Sequence, residues 1–190
     1  MTEHEFLDDR RRGLEDDYFR KKDRELIEKM RRAAADERTR NEMSAKTGLT
    51  DPALVAELQE LGFTPETLSV LPLVPIVQVA WAEGGITSAE RNLLVKLARE
   101  RGIVEGSTAD RLLHDWMARQ PSPEVFARAT RLIRAMLDAG TPDTTALSAD
   151  DLIKYSENIA AASGGILGIG KISPEERDTL AQIAQALKQR

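Results

Sequence analysis

The feature that most constrains the fold of this chain is a series of short polar motifs, each of which can begin an α-helix. In each motif a Ser, Thr or Asp is followed within three residues by a proline or an acidic residue, the pattern of a side-chain N-cap and first helical turn. The motifs begin at Thr50/Asp51, Thr64, Thr87, Ser107, Ser122, Ser148 and Ser173. Between them apolar residues recur at helical spacing, and no segment alternates as a half-buried strand does. The sequence therefore predicts an all-α fold.

Glycines and prolines between the motifs set the expected helix ends. The predicted helices run to about residues 61, 71, 82, 102, 120, 140, 163 and the C-terminus. Pro72 and Pro75 divide one apolar region, so we expect a short helix over 65–71 and a new helix over 72–82. The second of these is nearly apolar all round, which is typical of a buried central helix. The result is a bundle of about seven helices joined by short loops, plus an N-terminal arm.

The N-terminal arm differs from the rest of the chain in its charge. Residues 1–46 contain 13 acidic and 13 basic side chains, whereas residues 47–190 contain 19 and 14 and carry the whole net charge of -5. From Glu3 to Met43 there is one glycine and no proline, and strong helix formers dominate. We predict two domains: a charged helical arm over 1–46 and a helical domain over 47–190.

A thin apolar stripe follows the arm, with seven-residue steps that do not persist as a regular coiled-coil heptad. One interpretation is a charged helix that packs loosely on the domain or frays. The other is a helix that docks a second copy of the chain or another protein. For the second interpretation the predicted contact residues are Leu14, Tyr18, Phe19, Leu26 and Met30.

A glycine-rich segment near the C-terminus, residues 165–171, carries three further candidate residues. It fits part of a phosphate-binding loop, but Ile172 stands where that loop needs Ser or Thr, and a helix precedes it where a strand is needed. A nucleotide site is therefore not expected. Its apolar residues either fold back on the core or contact a partner or a bilayer surface. They are Ile166, Leu167 and Ile169.

Two stretches of the predicted domain are similar to each other. Residues 79–98 and 159–184 each contain a buried helix, a Gly-Gly turn and a capped amphipathic helix, with an isoleucine just before the cap. The second stretch has six additional residues after its glycines. The pair predicts a bundle in which two helical hairpins are related by a pseudo-twofold axis.

The first stretch reads Ala80-Trp-Ala-Glu-Gly-Gly-Ile-Thr-Ser-Ala-Glu90 and is followed by Leu94, Leu97 and Ala98. This string resembles the TerB-like (tellurite-resistance) helical family, roughly over residues 50–190 in architecture. The resemblance implies paired antiparallel helices, a role in stress-response or membrane-associated complexes, and a divalent-metal site of acidic residues near the turn. The aspartate of the family's turn is Glu83 here, and the equivalent residue of the second stretch is Ser163.

Glu83 and Glu90 flank this turn and are the candidate metal ligands. Hard cations such as Ca²⁺ take six to eight oxygen ligands, so two carboxylates with turn carbonyls and water would form a weak site. The alternative is that Glu90 is the capping-box partner of Thr87, while Glu83 is solvated at a helix end.

Several other kinds of chemistry are excluded. The chain has no cysteine, which excludes disulfides, thiolate zinc sites and cysteine nucleophiles. Its two histidines are far apart in sequence, and His114 and Asp115 point apart on a helix, so we expect no catalytic dyad. The acidic balance argues against nucleic-acid binding. No apolar run can span a bilayer, and residues 1–5 have neither the apolar core of a secretory signal nor the acid-poor composition of a mitochondrial presequence, so we expect a cytoplasmic protein.

These observations favour a non-enzymatic interaction or scaffold module, related to stress response and without a cofactor. Its arm is expected to mediate self-association or to dock a protein partner. The alternative is a sensor module that binds a divalent cation through Glu83 and Glu90.

Overall fold

The computed structural model describes residues 3–140, 148–163 and 172–188, with backbone alone for residues 3–17 and 163. Within those ranges the chain forms eight α-helices and one 3-10 helix, and no β-strand, so the predicted all-α fold is confirmed. The elements are α1 (Glu3–Thr47), α2 (Pro52–Glu60), a 3-10 helix (Leu68–Leu73), α3 (Val74–Ala80), α4 (Ser88–Glu100), α5 (Thr108–Ala118), α6 (Pro123–Ala139), α7 (Ala149–Ser163) and α8 (Pro174–Lys188).

The predicted side-chain caps form at the start of six helices. Asp51 accepts a hydrogen bond from the Ala53 amide at 2.8 Å, and a hydroxyl oxygen accepts the corresponding bond at each of the other five starts. These bonds satisfy amides that have no partner within their own helix. The five hydroxyl caps are Thr87, Ser107, Ser122, Ser148 and Ser173.

The segment between α2 and α3 differs from its prediction. We expected helices over 65–71 and 72–82, but the chain makes a turn, then the 3-10 helix, then α3 from Val74. Thr64 does not begin a helix, because its amide donates to the Thr67 hydroxyl at 2.8 Å and closes a local turn. Pro72 lies inside the 3-10 helix. Pro75 lies in the first turn of α3, where backbone amides have no partner within the α-helix, so the missing N–H of proline costs no hydrogen bond.

The short helix α3 is the centre of the packing, as predicted. Its side chains are buried on nearly all sides, and it packs against α4, α6, α7 and α8 and against the 3-10 helix. α7 in turn packs against α4 and α8. The core side chains of α3 are Val74, Pro75, Ile76, Val77, Val79 and Ala80.

The chain divides into two compact units, Met1–Asn41 and Glu42–Arg190. The division falls within α1, five residues before the domain boundary expected from charge. The last turns of α1 belong to the second unit because Met43 and Thr47 are buried there, at 0% and 1% exposure. In the same unit, Lys46 Nζ donates to the Pro65 carbonyl at 3.0 Å.

The structure places the two similar stretches on the helix pairs α3–α4 and α7–α8. Gly84 lies between α3 and α4 with a φ of 82°, a backbone conformation that L side chains rarely adopt. The corresponding glycines of the second stretch lie outside the described residues.

Candidate functional site

Five large apolar side chains of α1 are exposed to solvent, and we refer to them as the α1 surface. Their exposure lies between 48% and 64%, well above that of core residues. A rotation of 100° per residue puts Phe19, Leu26 and Met30 along one line of the helix, with the other two on either side. The five residues of the α1 surface are Tyr18, Phe19, Leu26, Ile27 and Met30.

The contacts around the α1 surface are local to the helix. The rings of Tyr18 and Phe19 meet edge to face at 5.9 Å, and Lys22 Nζ lies 5.8 Å from the centre of the Tyr18 ring. Lys22 also pairs with Glu25 at 3.4 Å. Every side chain from residue 18 to residue 38 is exposed.

Most residues predicted for partner binding on the arm lie on this surface. Tyr18, Phe19, Leu26 and Met30 are exposed there, while Leu14 lies on α1 with its side chain outside the described residues. Sequence reasoning missed Ile27, although it is apolar and one helical turn before Met30. That a partner binds these residues stays a prediction. The other three candidates, Ile166, Leu167 and Ile169, lie outside the described residues.

The second candidate site is the turn between α3 and α4, where the capping box has formed. Glu90 is 2% exposed, and both the amide and the hydroxyl of Thr87 donate to its Oε2 at 2.7 Å. The Glu90 amide returns a bond to the Thr87 hydroxyl at 3.3 Å. Glu83, across the turn, is exposed. The interpretation of Glu90 as a capping partner is therefore confirmed.

The charge of Glu90 is affected by two other carboxylates. Burial is the main cause that raises the pKa of Glu90, and the negative charges of Glu176 and Glu83 raise it further. Hydrogen bonds from Thr87 oppose this effect, but the pKa stays above its ordinary value. Glu176 is the matching capping residue of α8, where its Oε2 accepts from the Ser173 amide at 2.8 Å. The two capping carboxylates of the similar stretches thus interact electrostatically.

At this turn the described residues do not supply a set of side chains that could hold a metal ion. Among the residues that the structure describes, no group of three or more His, Asp or Glu side chains is placed to hold a metal ion. One oxygen of Glu90 is already bonded to Thr87, and Glu83 lies in solvent. A divalent-cation site of Glu83 and Glu90 stays a prediction.

A buried carboxylate that sequence reasoning did not single out lies between α4 and α5. Asp110 Oδ2 accepts from the Gly106 amide at 2.8 Å, and Oδ1 is 2.8 Å from Arg99 Nη1 and 3.6 Å from His114 Nε2. Burial raises the pKa of Asp110, but the Gly106 bond and then the bond and charge of Arg99 hold it below its ordinary value. His114 is exposed and faces Asp110 one turn earlier.

The two tryptophans form a contact at the edge of the core. Trp81 Nε1 donates to the Trp116 carbonyl at 2.9 Å, and the Trp116 ring meets Phe63 edge to face at 5.8 Å. Both are partly buried and pack against core residues, as expected for structural anchors. Trp81 also lines an open groove between α3, α6 and α8, whose other described lining residues include Gln78, Thr130 and Gln182 and no charged side chain.

No helix in the described ranges has both the length and the apolar character needed to cross a membrane. The chain matches no protein-family model, no curated protein and no solved structure.

Proposed function

We propose that this protein is a non-enzymatic α-helical interaction module in which the α1 surface binds protein. The observation that supports the proposal is the exposure of five large apolar side chains on one helix. Burial of a single large apolar side chain is worth about 1.5–3 kcal/mol, so a partner that covered several of them would gain several kcal/mol. A charged helix without such cover has little to stabilise it beyond local ion pairs.

The second unit acts as the scaffold in this proposal. We take α3–α4 and α7–α8 as two hairpins related by a pseudo-twofold axis, supported by the matching caps Thr87/Glu90 and Ser173/Glu176. The α3–α4 stretch carries the TerB-like resemblance, which implies a role in stress-response or membrane-associated complexes. On that basis we assign the module to a stress-response complex.

The experiment compares the full chain with two variants. Leu26→Asp/Met30→Asp places charge on the α1 surface, whereas Ala35→Asp adds charge to an exposed residue on the opposite side of the same helix. We measure self-association by sedimentation and capture of protein partners with immobilised full chain. Binding should be lost in the first variant and retained in the second. If the wild type neither self-associates nor captures protein through the α1 surface, the proposal is wrong.

A divalent-cation sensor at the turn between α3 and α4 is the alternative function. It is supported by the negative charges of Glu176 and Glu83 near the buried Glu90 carboxylate, which a bound cation would offset. Calorimetry with Ca²⁺, Mg²⁺, Mn²⁺ and Zn²⁺ on the wild type and on Glu83→Gln tests it. Heat of binding that Glu83→Gln abolishes would support the sensor, and no heat with any ion would rule it out.

A further inference from the structure

Although the arm as a whole has no net charge, its acidic and basic residues are unevenly distributed along α1. Residues 3–17 contain seven acidic and three basic side chains, a net charge of -4. Residues 18–41 contain nine basic and five acidic side chains, a net charge of +4. The α1 surface lies within the basic part, next to the boundary between the two.

We propose that the α1 surface is covered by α1 of a second copy of this chain, with the two helices antiparallel. This inference rests on the proposed function, because it names the partner of the same surface. A second copy supplies a helix of matching length, an apolar stripe and a charge pattern that complements its own when reversed. The charge pattern of α1 specifies no other occupant.

The direction of pairing follows from electrostatics. If residues 3–41 of two copies overlap in antiparallel orientation, residues 3–17 of each face residues 27–41 of the other. The latter contain five basic and three acidic side chains, net +2, so on each side a segment of -4 faces one of +2, and only the central residues 18–26, net +2, face their own equivalent. In a parallel, in-register pair, residues 3–17 (net -4) would face residues 3–17 of the other copy, and residues 18–41 (net +4) would face residues 18–41. Like charges across an interface oppose association, so the antiparallel pair is favoured.

In the antiparallel orientation the apolar residues of the α1 surface can pack against those of the second copy. The α1 surface spans residues 18–30, close to residue 22 at the centre of the 3–41 overlap. The apolar surfaces of the two copies therefore meet near the middle of the pair. The charged ends meet on either side of them.

A distance measurement tests the orientation in the full chain. The protein has no cysteine, so Asn41→Cys, an exposed and uncharged position, can carry a single spin label. In an antiparallel pair of this overlap the two labels lie about 50 Å or more apart along the axis, at 1.5 Å per residue. In a parallel pair they lie within about 20 Å, roughly two helix diameters. Light scattering should give twice the 21.1 kDa mass of the chain.

The salt dependence of self-association gives a second, independent readout. Raising NaCl from about 50 mM to about 500 mM shortens the screening length several-fold, so the antiparallel pair should dissociate several-fold more readily. A parallel pair should instead be strengthened, because its like charges are screened. Ala35→Asp lowers the net charge of residues 27–41 from +2 to +1, so it should weaken the pair only slightly, while Leu26→Asp/Met30→Asp should be monomeric.

The outcomes separate this inference from the proposed function. A label separation under about 20 Å, or association strengthened by salt, overturns the antiparallel pair and leaves the α1 surface as a binding surface. A wild type that is monomeric up to about 100 μM, a weak-binding limit, overturns pairing of copies. The proposed function then fails as well only if capture of protein by the α1 surface is also absent.

Discussion

At the residue scale, buried carboxylates in this protein serve as acceptors for backbone and hydroxyl groups. Glu90 accepts two bonds from Thr87, and Asp110 accepts one from the Gly106 amide. Their environments shift the two pKa values in opposite directions. Burial, and then the charges of other carboxylates, raise the pKa of Glu90, whereas the Gly106 bond and Arg99 outweigh the effect of burial on the pKa of Asp110. Opposite dependences of stability on pH follow from the two shifts.

The raised pKa of Glu90 predicts a loss of stability as pH rises. Between the ordinary value of 4.5 and its raised value, the folded state holds the Glu90 proton more tightly than the unfolded state does. Glu90 therefore raises the free energy of unfolding at pH values below that window. This contribution is lost as the pH rises through the window. Glu90→Gln removes the effect, so the variant should gain in stability relative to wild type as pH rises from 4.5. Urea unfolding at several pH values measures this, with the exposed Glu100→Gln as the control. The prediction would be contradicted if the difference in free energy of unfolding between Glu90→Gln and the wild type stayed the same across this pH range.

The lowered pKa of Asp110 predicts the opposite behaviour. Its contribution is present above the ordinary value of 3.8 and is lost as pH falls through the lowered folded value. Asp110→Asn should reduce the free energy of unfolding at pH 7 by about 1–3 kcal/mol, since it weakens bonds to a charged acceptor. The exposed neighbour Asp115→Asn should change it by less than about 0.5 kcal/mol. Guanidinium unfolding should show the Asp110→Asn deficit shrinking below pH 3.8, and a constant deficit would argue against the ionic cause.

At the element scale, the sequence predicts helix starts well because caps are local. Each hydroxyl cap and its amide partner lie within three residues, so both are visible in the sequence. The 3-10 helix was not predicted because its conformation depends on packing, with Leu68, Val70, Leu71 and Leu73 all buried.

Contacts between distant elements were also beyond sequence reasoning. Arg128 of α6 binds Glu57 and Glu60 of α2 at 2.8 and 2.7 Å, and these partners are 71 and 68 residues away. The raising effect of burial on the pKa of Glu57 is outweighed by the bonds and charges of Arg128 and Arg131. No local pattern marks such pairs. At the candidate sites, the exposure of Ile27 and the charge of Glu176 near Glu90 likewise required the fold.

Removal of one cap tests the local origin of these helices. Thr87→Ala deletes the acceptor for the Glu90 amide and a donor to its carboxylate. It should lower the free energy of unfolding by about 0.5–2 kcal/mol, near the upper end because Glu90 is buried. Ser88→Ala, at the next and exposed position, should have little effect. Equal losses from both variants in thermal unfolding would show that the Thr87 cap is not the cause.

At the scale of the whole molecule, α1 belongs partly to each of the two units. Its residues 18–38 are exposed, while Met43 and Thr47 are buried in the unit Glu42–Arg190. Charge composition indicated a boundary in this region. It did not show which residues of the helix are core residues, because Met30 and Met43 occur in similarly charged surroundings in the sequence.

Two identical substitutions in α1 therefore should have different effects. Met43→Ala leaves a cavity in the core and should lower the free energy of unfolding by about 2–5 kcal/mol. Met30→Ala removes an exposed side chain and should change it by less than about 0.5 kcal/mol when the chain is dilute enough to be monomeric. Chemical unfolding of both variants measures the contrast. Comparable losses would place Met30 in the core, contrary to its 64% exposure.

The burial of Met43 and Thr47 also bears on how α1 acquires its structure. The slow and unfavourable step in forming an isolated helix is the ordering of its first turn, and later residues add more easily. Because the folded unit already orders the last turns of α1, the rest of the helix can grow from them toward Glu3 by addition of single residues. The last turns of α1 therefore serve as the helix nucleus for the arm. Its helicity should disappear together with the fold of the unit that holds Met43, as one cooperative loss of circular dichroism.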